Sequence, residues 1–596
     1  MGFLQKYKFE VIIFVLFFIL AGIFTFPLIL NMHTSIYDYQ GDLIETLWYA
    51  WWVKYAWQHD LDCQFVSIIA CPYGIDLSKD IAKNIGLQFA NYPLLLLTLM
   101  QNEIFAYNFI MLMTFPLAGL AMYLLAVYLT RNKWASFIAG LAYAFCPYHF
   151  AHASHITLAN IQWMPLFILF LFKLHKERTY PNAIFCGLFF ALTLLSDTYY
   201  GYFMLVAAAT FFIFMMVRKF YRKIRKLHEI NFTPQVGIVK NISLSVVTVF
   251  TASIVCFPYI FPILDSYLSG DGKLSVLKNG YLRGIKELKE PSATLLNYIL
   301  PSPNHPLLGG FASRLEGALF YGENPQEFNL FLGFFAIIMS VYAFRVWKNS
   351  KKAEVVAINA KEAEEIDFSM KFFVSLAVVA FLFSLYPVFV LFGRELWLPS
   401  AYTYHIIPFF RSIGRFGIVL MLAFSVLMAF GIKFLFERIN LKKVRIALVV
   451  LFSAVVLFEF VNFPPFKATD IEVKESVYSW LKEQPEDILI VEYPLEEDDT
   501  VIYLFNQRVH QKRLVNGAPR GTEAYSTNEK IRDILEPQTR KILNDLDVVY
   551  VVVHFNKYTQ QSEKENVKKK LINSPKRYGL VEEKDFGDTK VYRIIK

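Results

Sequence analysis

Residues 11–30 read VIIFVLFFILAGIFTFPLIL, without one charged side chain. At about 1.5 Å of rise per residue, a helix of that length spans about 30 Å, the thickness of a bilayer's hydrocarbon core. A second run of the same kind covers Ser243–Leu264. Neither shows the polar alternation or polar stripe of an element with one wet face. The composition agrees. Of 596 residues, 56% are hydrophobic, 17% aromatic and 18% charged, against about 25% charged in an average soluble chain. Apolar side chains this plentiful exclude disorder, and runs this long exclude a soluble multidomain enzyme. The chain reads as an α-helical polytopic membrane protein.

Apolar runs predict spans over 9–30, 103–129, 134–149, 157–173, 181–197, 200–217, 243–264, 328–347, 371–393, 413–436 and 444–463, eleven in all. Leu87–Met100 is too short to span and is placed partly in the interface. Lys6/Lys8, Arg131/Lys133, Lys173/Lys176/Arg178, Arg218–Lys226, Arg345–Lys352 and Arg438–Arg445 fall on one side if the spans alternate. The positive-inside rule makes that side the cytoplasm. The net charge of +9 comes from these clusters, which argues against nucleic-acid binding. The N-terminus mimics a signal peptide, but its apolar run is too long and lacks a small-x-small cleavage site. It is kept as the first span of a multi-pass plasma-membrane protein.

After Phe463-Pro464-Pro465 charge becomes frequent. Short β-rich runs follow at Ile488–Tyr493, Val548–Val553 and Val591–Ile595, with helical stretches at Glu472–Lys482 and Asn528–Leu535 and a turn at Gly587-Asp588. The sequence therefore predicts a membrane domain over 1–465, with a first outer loop at 31–102 and a long outer loop at 265–327. A C-terminal extracytoplasmic α/β domain fills 466–596. Five cysteines are too few for a disulfide framework or a zinc site. Cys63 and Cys71 share one loop and either pair there or stay free thiols.

The polar residues that scaffold alone explains poorly gather on the outer side. The first loop carries Asp38 and Gly41-Asp42, then Trp48, Trp51, Trp52 and Tyr55 mostly on one face of a helix over 43–57. Such a helix is expected to lie in the interface. A carboxylate at that depth is suited to proton abstraction, whereas the plainer role of Asp42 is to cap the helix. His149, His152 and His155 recur every third residue, turning through about 240° on a helix. A shared metal would need a bend there, and hydrogen bonds to a polar substrate suit them better. Asp197 and Tyr199 sit at an outer hairpin, fit either for an interface belt or for a hydroxyl-rich ligand. The prolines of Pro301–Pro306 predict a rigid loop, not a helix, before Arg314, Glu316, Glu323 and Glu327. Arg411 and Arg415 flank Gly414 on the outer side, against the charge trend. They can grip a phosphate or snorkel to headgroups. No Walker loop, G-x-G-x-x-G, G-x-S-x-G or H-E-x-x-H occurs, so ATP coupling and redox cofactors are not expected.

With Gly41-Asp42 in the first outer loop, the aromatic helix behind it, about eleven spans and an outward C-terminal domain, the chain resembles the GT-C superfamily of membrane glycosyltransferases. These include protein O-mannosyltransferases and the lipid A aminoarabinose transferase. Leu43 departs from the family's Gly-Asp-Glu motif, which leaves the base open between Asp42 and Asp38. The resemblance implies transfer of a sugar, a hexose or a pentose, from a polyprenyl-phosphate carrier to an extracytoplasmic glycan, lipid or protein, with inversion. It implies Asp42 as the base. Arg411 and Arg415 would hold the donor phosphate, and His152, His155, Asp197, Tyr199 and Glu327 would line the sugar or acceptor pocket. No cofactor is established; some members use a divalent metal, which leaves a metal open here. The alternatives are a transporter or flippase of lipid-linked sugars, which calls for polar residues at the bilayer midplane, and a non-catalytic envelope assembly protein.

Overall fold

The computed structural model describes residues 7–37, 41–79, 91–224, 237–268, 284–289, 291–319, 325–350, 360–391, 393–407, 410–462, 468–471, 475–520 and 522–595. Its first half holds α1 (Lys8–Phe24), α2 (Gly41–Gln58), α3 (Asn91–Met100), α4 (Glu103–Thr130), α5 (Lys133–Ala144), α6 (Pro147–Ala151), α7 (Ile156–Ala159), α8 (Trp163–Glu177), α9 (Tyr180–Ser196), α10 (Thr198–Ile224) and α11 (Ile238–Leu268). Then come α12 (Gly309–Leu319), α13 (Phe334–Ser350), α14 (Ala360–Ser384), α15 (Pro399–Ile406), α16 (Gly417–Glu437) and α17 (Lys442–Phe460). Six stretches among the described residues are long and apolar enough to cross a membrane: Glu103–Thr130, Ile156–Glu177, Thr198–Ile224, Ile238–Asp265, Lys361–Ser384 and Ile413–Glu437. The other five expected spans fall on shorter or more charged helices: α1, α5, α9, α13 and α17.

Proline sets where several of these helices break. Pro147 forces Cys146 into extended backbone (φ −66°, ψ 152°), because the pyrrolidine ring excludes the helical region for the residue before it. So α5 stops at Ala144, and α6 restarts with Pro147 in its first turn, where a missing N–H costs nothing. The expected span 134–149 is thus cut short. The loop expectation for 301–327 also needs correction. After Pro306 the chain turns into α12, where the run Gly309–Leu319 holds no proline.

Arg131, Lys176, Arg218 and Arg222, from the basic clusters predicted to share one side, meet at one end of the bundle, where Lys433 joins them. Three glutamates at the start of α14 receive them: Glu365 pairs with Arg131 (2.7 Å) and Lys176 (2.9 Å), Glu364 with Arg218 and Arg222, and Glu362 with Lys433 (3.1 Å). Five helices are stitched together at that end. Close approach of α16 to α13 depends on Gly431, where a Cβ would run into the Met339 carbonyl. Small residues at such crossings let helix backbones touch in lipid.

The last part of the chain holds α18 (Ser476–Lys482), α19 (Glu497–His510) and a five-stranded sheet. The strands are β7 (Leu489–Tyr493), β8 (Arg513–Leu514), β9 (Val548–His554), β10 (Leu580–Asp585) and β11 (Thr589–Ile594), in the order β10-β11-β9-β7-β8. β7 runs parallel to β8 and β9, while β11 is antiparallel to both its neighbours. Helices occupy Glu523–Lys530 and Pro537–Asp545, so the helix expected over 528–535 is largely a turn between two helices.

The first long loop fastens this sheet to the bundle. Leu514 N donates to Ile68 O (2.9 Å), Cys71 N to Leu514 O (3.0 Å) and Ala70 N to Asn516 O (2.8 Å). The loop therefore runs along the edge of β8 and pairs its free backbone groups. β1 (Ser35–Tyr37) likewise pairs antiparallel with β6 (Ala468–Asp470), and two small antiparallel pairs lie between them in the chain, β2 (Phe65–Val66) with β3 (Ile75–Asp76) and β4 (Val388–Leu391) with β5 (Arg394–Trp397). The aromatic face of α2 is covered by protein rather than laid open to an interface. Trp48 and Trp52 are fully buried, and Trp48 Nε1 donates to Gln507 Oε1 of α19 (3.0 Å). Cys63 and Cys71 are free thiols, with Cys71 Sγ bonded to Ser67 O.

Candidate active site

At the end of the bundle opposite the glutamates, three chain breaks bring polar side chains into one buried pocket. The first is the α5–α6 break, which turns His149 and His152 inward. The second is Asp197, in extended backbone (φ −155°, ψ 133°) between α9 and α10. Its Oδ1 accepts the Tyr199 N–H at 2.8 Å, the standard capping bond of a helix start. The third is the short turn Ile413–Phe416 ahead of α16. Gly414 N donates to Pro291 O (2.9 Å), and a Cβ there would come within 2.7 Å of that same oxygen. Only glycine allows this approach, and it sets the position of Arg415.

Arg415 is the centre of the pocket. Its Nε donates to both oxygens of Glu327 (2.9 and 3.1 Å) and its Nη2 to Glu327 Oε1 (2.5 Å). That is the two-pronged geometry a guanidinium gives a carboxylate. Glu327 comes from a second short turn, Pro325–Phe328, and is 7% exposed. The guanidinium also lies 5.0 Å from the Tyr199 ring centroid, a cation–π contact. Tyr199 Oη accepts from the backbone N–H of Arg411 (3.1 Å) and of Ser412 (3.3 Å), which ties α10 to the turn carrying Arg415.

His152 closes the pocket. It is 1% exposed, and its Nε2 lies 3.8 Å from Glu327 Oε2. Its Nδ1 sits 2.9 Å from Tyr148 O. A carbonyl only accepts, so Nδ1 carries the proton. Burial holds His152 below its ordinary value against the pull of Glu327. Burial alone would raise the Glu327 carboxyl, but Arg415 and His152 outweigh it and hold Glu327 well below the carboxylate range. Glu327 is therefore an anion and Arg415 its counter-ion.

Of the residues singled out from the sequence, the structure gathers Arg415, Glu327, His152, Tyr199 and Asp197. His155 starts α7 three residues beyond His152 and is half-buried. Arg411 is exposed at the rim. Because residues 410–412 are not helical, Arg411 and Arg415 do not form a pair on one helical turn. Asp42 lies in the first turn of α2, and Asp38 falls outside the described residues. The end of β1 lies beside this pocket, since Tyr37 Oη donates to Phe150 O (3.3 Å) in α6.

Two tyrosines escaped the sequence reading. The Tyr148 ring stacks on His152 with centroids 4.2 Å apart, and its Oη lies 3.1 Å from Tyr200 Oη. Tyr200 Oη in turn donates to Leu158 O (2.5 Å). Tyr148 stands four residues before His152, one helical turn, and that spacing was the available signal.

A metal does not fit these residues. Among the described residues no three His, Cys, Asp or Glu side chains converge, and both oxygens of Glu327 are already on Arg415.

No protein-family model matches the sequence, and no curated protein matches it. Solved structures do. The Archaeoglobus fulgidus oligosaccharyltransferase superposes with a TM-score of 0.52 at 12% identity, over 93% of this chain and 70% of that one. The mycobacterial arabinofuranosyltransferase AftD gives a TM-score of 0.52 at 11% identity, over 99% of this chain and 40% of that one. ArnT from Cupriavidus metallidurans bound to undecaprenyl phosphate covers 98% of its own length at a TM-score of 0.37, too distant to support an argument. This chain therefore shares its fold with the oligosaccharyltransferase and with AftD.

Proposed function

We propose that the protein is a membrane glycosyltransferase that moves a sugar from a polyprenyl-phosphate donor to an extracytoplasmic acceptor, with inversion. The observation that carries this reading is the buried guanidinium of Arg415, held in place between Glu327, Tyr199 and His152. A phosphate leaving group needs fixed positive charge where its own charge develops, and a preorganised arginine in a water-poor pocket supplies it. In this reading eleven helices cross the plasma membrane, the N-terminus is cytoplasmic, and residues 466–596 form an α/β domain outside.

The acceptor hydroxyl loses its proton to Asp42, with Asp38 as the other candidate base. The freed oxygen attacks the anomeric carbon while the carbon–oxygen bond to phosphate breaks on the opposite face. The phosphate departs with that electron pair towards Arg415, with Arg411 at the rim as a second cation. His152, His155, Asp197 and Tyr199 line the space for sugar or acceptor.

The test is transfer of radiolabelled sugar from a panel of polyprenyl-phosphate donors in liposomes, with wild type, Asp42→Asn and Arg415→Met. A positioned base or oxyanion group is worth about 10²–10⁴-fold in rate, so each variant is expected to lose turnover on that scale. Unchanged turnover in both variants would overturn the reading.

A further inference from the structure

The pocket around Arg415 already sets one guanidinium against two carboxylates, Glu327 in direct contact and Asp197 nearby. An arriving phosphate brings a further anion into a site that burial shields from solvent. Few groups can answer it. Glu327 faces His152 from the 325–328 turn and Arg415 from the 413–416 turn. Tyr148 stacks on it within its own helix, with Tyr200 and Asp197 behind from the head of α10. His149 has both ring nitrogens engaged, Nδ1 by Ala144 O (2.7 Å) and Nε2 by Thr114 Oγ1 (3.1 Å). His152 differs from it. Its Nδ1 proton is committed to Tyr148 O, which leaves Nε2 a bare lone pair, buried and without a hydrogen-bond partner. That lone pair looks across 3.8 Å at a carboxylate oxygen. Two acceptors facing each other in a buried site repel unless a proton comes between them.

We infer that a phosphate arriving at Arg415 turns Glu327 towards His152, and that His152 Nε2 then takes one proton from solvent. This deepens the glycosyltransferase reading and rests on it. The neutral imidazole becomes an imidazolium paired with Glu327, the guanidinium passes from carboxylate to phosphate, and Glu327 and the phosphate each end with a cation. No covalent bond changes. His152 is a positioning residue here: it receives the carboxylate so that Arg415 is free to hold the donor. Product release reverses the exchange and returns the proton.

The experiment is titration of wild-type protein in nanodiscs with undecaprenyl-phosphate-linked mannose and glucose. These are phosphodiesters, whose single charge does not titrate near neutrality. Affinity is measured between about pH 5 and pH 8, where a shifted histidine changes charge, and proton uptake is counted calorimetrically in buffers of different ionisation enthalpy. One linked proton makes affinity fall by about tenfold per pH unit as pH rises between the free and the bound values of His152. The expected results are uptake near one proton in that window for wild type, and pH-flat binding with no uptake in His152→Gln. A pH-flat wild type, or the same slope and uptake in His152→Gln, overturns the inference and leaves the phosphate reading standing. No binding by wild type, or unweakened binding by Arg415→Met, overturns the phosphate reading itself and this inference with it.

Discussion

The bond between Arg415 and Glu327 orients a cation, and its strength follows from its burial. Removing one partner of such a pair leaves the other charged and desolvated, which costs about 3–5 kcal/mol. Glu327→Leu is therefore expected to lower the thermal midpoint of the detergent-solubilised protein sharply. The double variant Glu327→Leu/Arg415→Met should recover most of that loss while remaining inactive. A double variant as unstable as the single one would show that the pair does not act as a unit. The same logic applies to Glu492 in β7, which is fully buried. Its Oε2 accepts from Tyr478 Oη (3.0 Å) and lies 2.7 Å from His554 Nε2. Burial alone would raise this carboxyl, but His554, His510 and Lys557 hold it below its ordinary 4.5. A carboxyl depressed on folding stabilises the fold above its unfolded value and loses that contribution as pH falls through the folded one. Thermal melts should show a loss of stability below about pH 4.5 that is smaller in Glu492→Gln. Equal acid sensitivity in the variant would point to other carboxylates.

At the scale of elements, α19 joins the bundle to the sheet. Gln507 accepts from Trp48 Nε1, and its Nε2 donates to Ile68 O (2.9 Å) and Lys512 O (2.8 Å); on the same helix Arg508 pairs with Glu103. Gln507→Ala leaves buried partners unmet, at about 1–3 kcal/mol each. Limited proteolysis is expected to cut the loop at 59–74 faster in that variant, and unchanged cleavage would show that Gln507 does not hold it. Most helices were legible from the sequence because long apolar runs have few alternatives in a chain this poor in charge. Their ends were less so. The cut at Cys146-Pro147 shortens α5 by a rule readable in advance, whereas α12 had no apolar run to announce it. The site was partly legible for a similar reason. Arg415 stood out because it breaks the positive-inside trend, and Glu327 as an acid at the outer entry to a span. That they pair depends on two turns 88 residues apart, which no local pattern encodes. The contact of the α2 tryptophans with α19 was hidden likewise, since an aromatic stripe reads the same whether it meets lipid or protein.

For the whole molecule, the claim with most consequences is sidedness. The glutamates of α14 and their basic partners mark one end of the bundle, and the Arg415 pocket marks the other. If the first end is cytoplasmic, a cysteine placed at exposed Lys576, in a background with Cys63 replaced, should react with an impermeant maleimide from outside intact cells. One at exposed Lys361 should react only after permeabilisation. The reverse pattern would place the pocket in the cytoplasm and remove the extracytoplasmic acceptor. A cryo-EM map of the protein with an undecaprenyl-phosphate-linked sugar bound decides whether Arg415 receives a lipid phosphate. Phosphate density is expected within about 3 Å of the Arg415 guanidinium, with the sugar directed towards the end of β1. Phosphate density elsewhere, with Arg415 still locked on Glu327, would contradict that expectation.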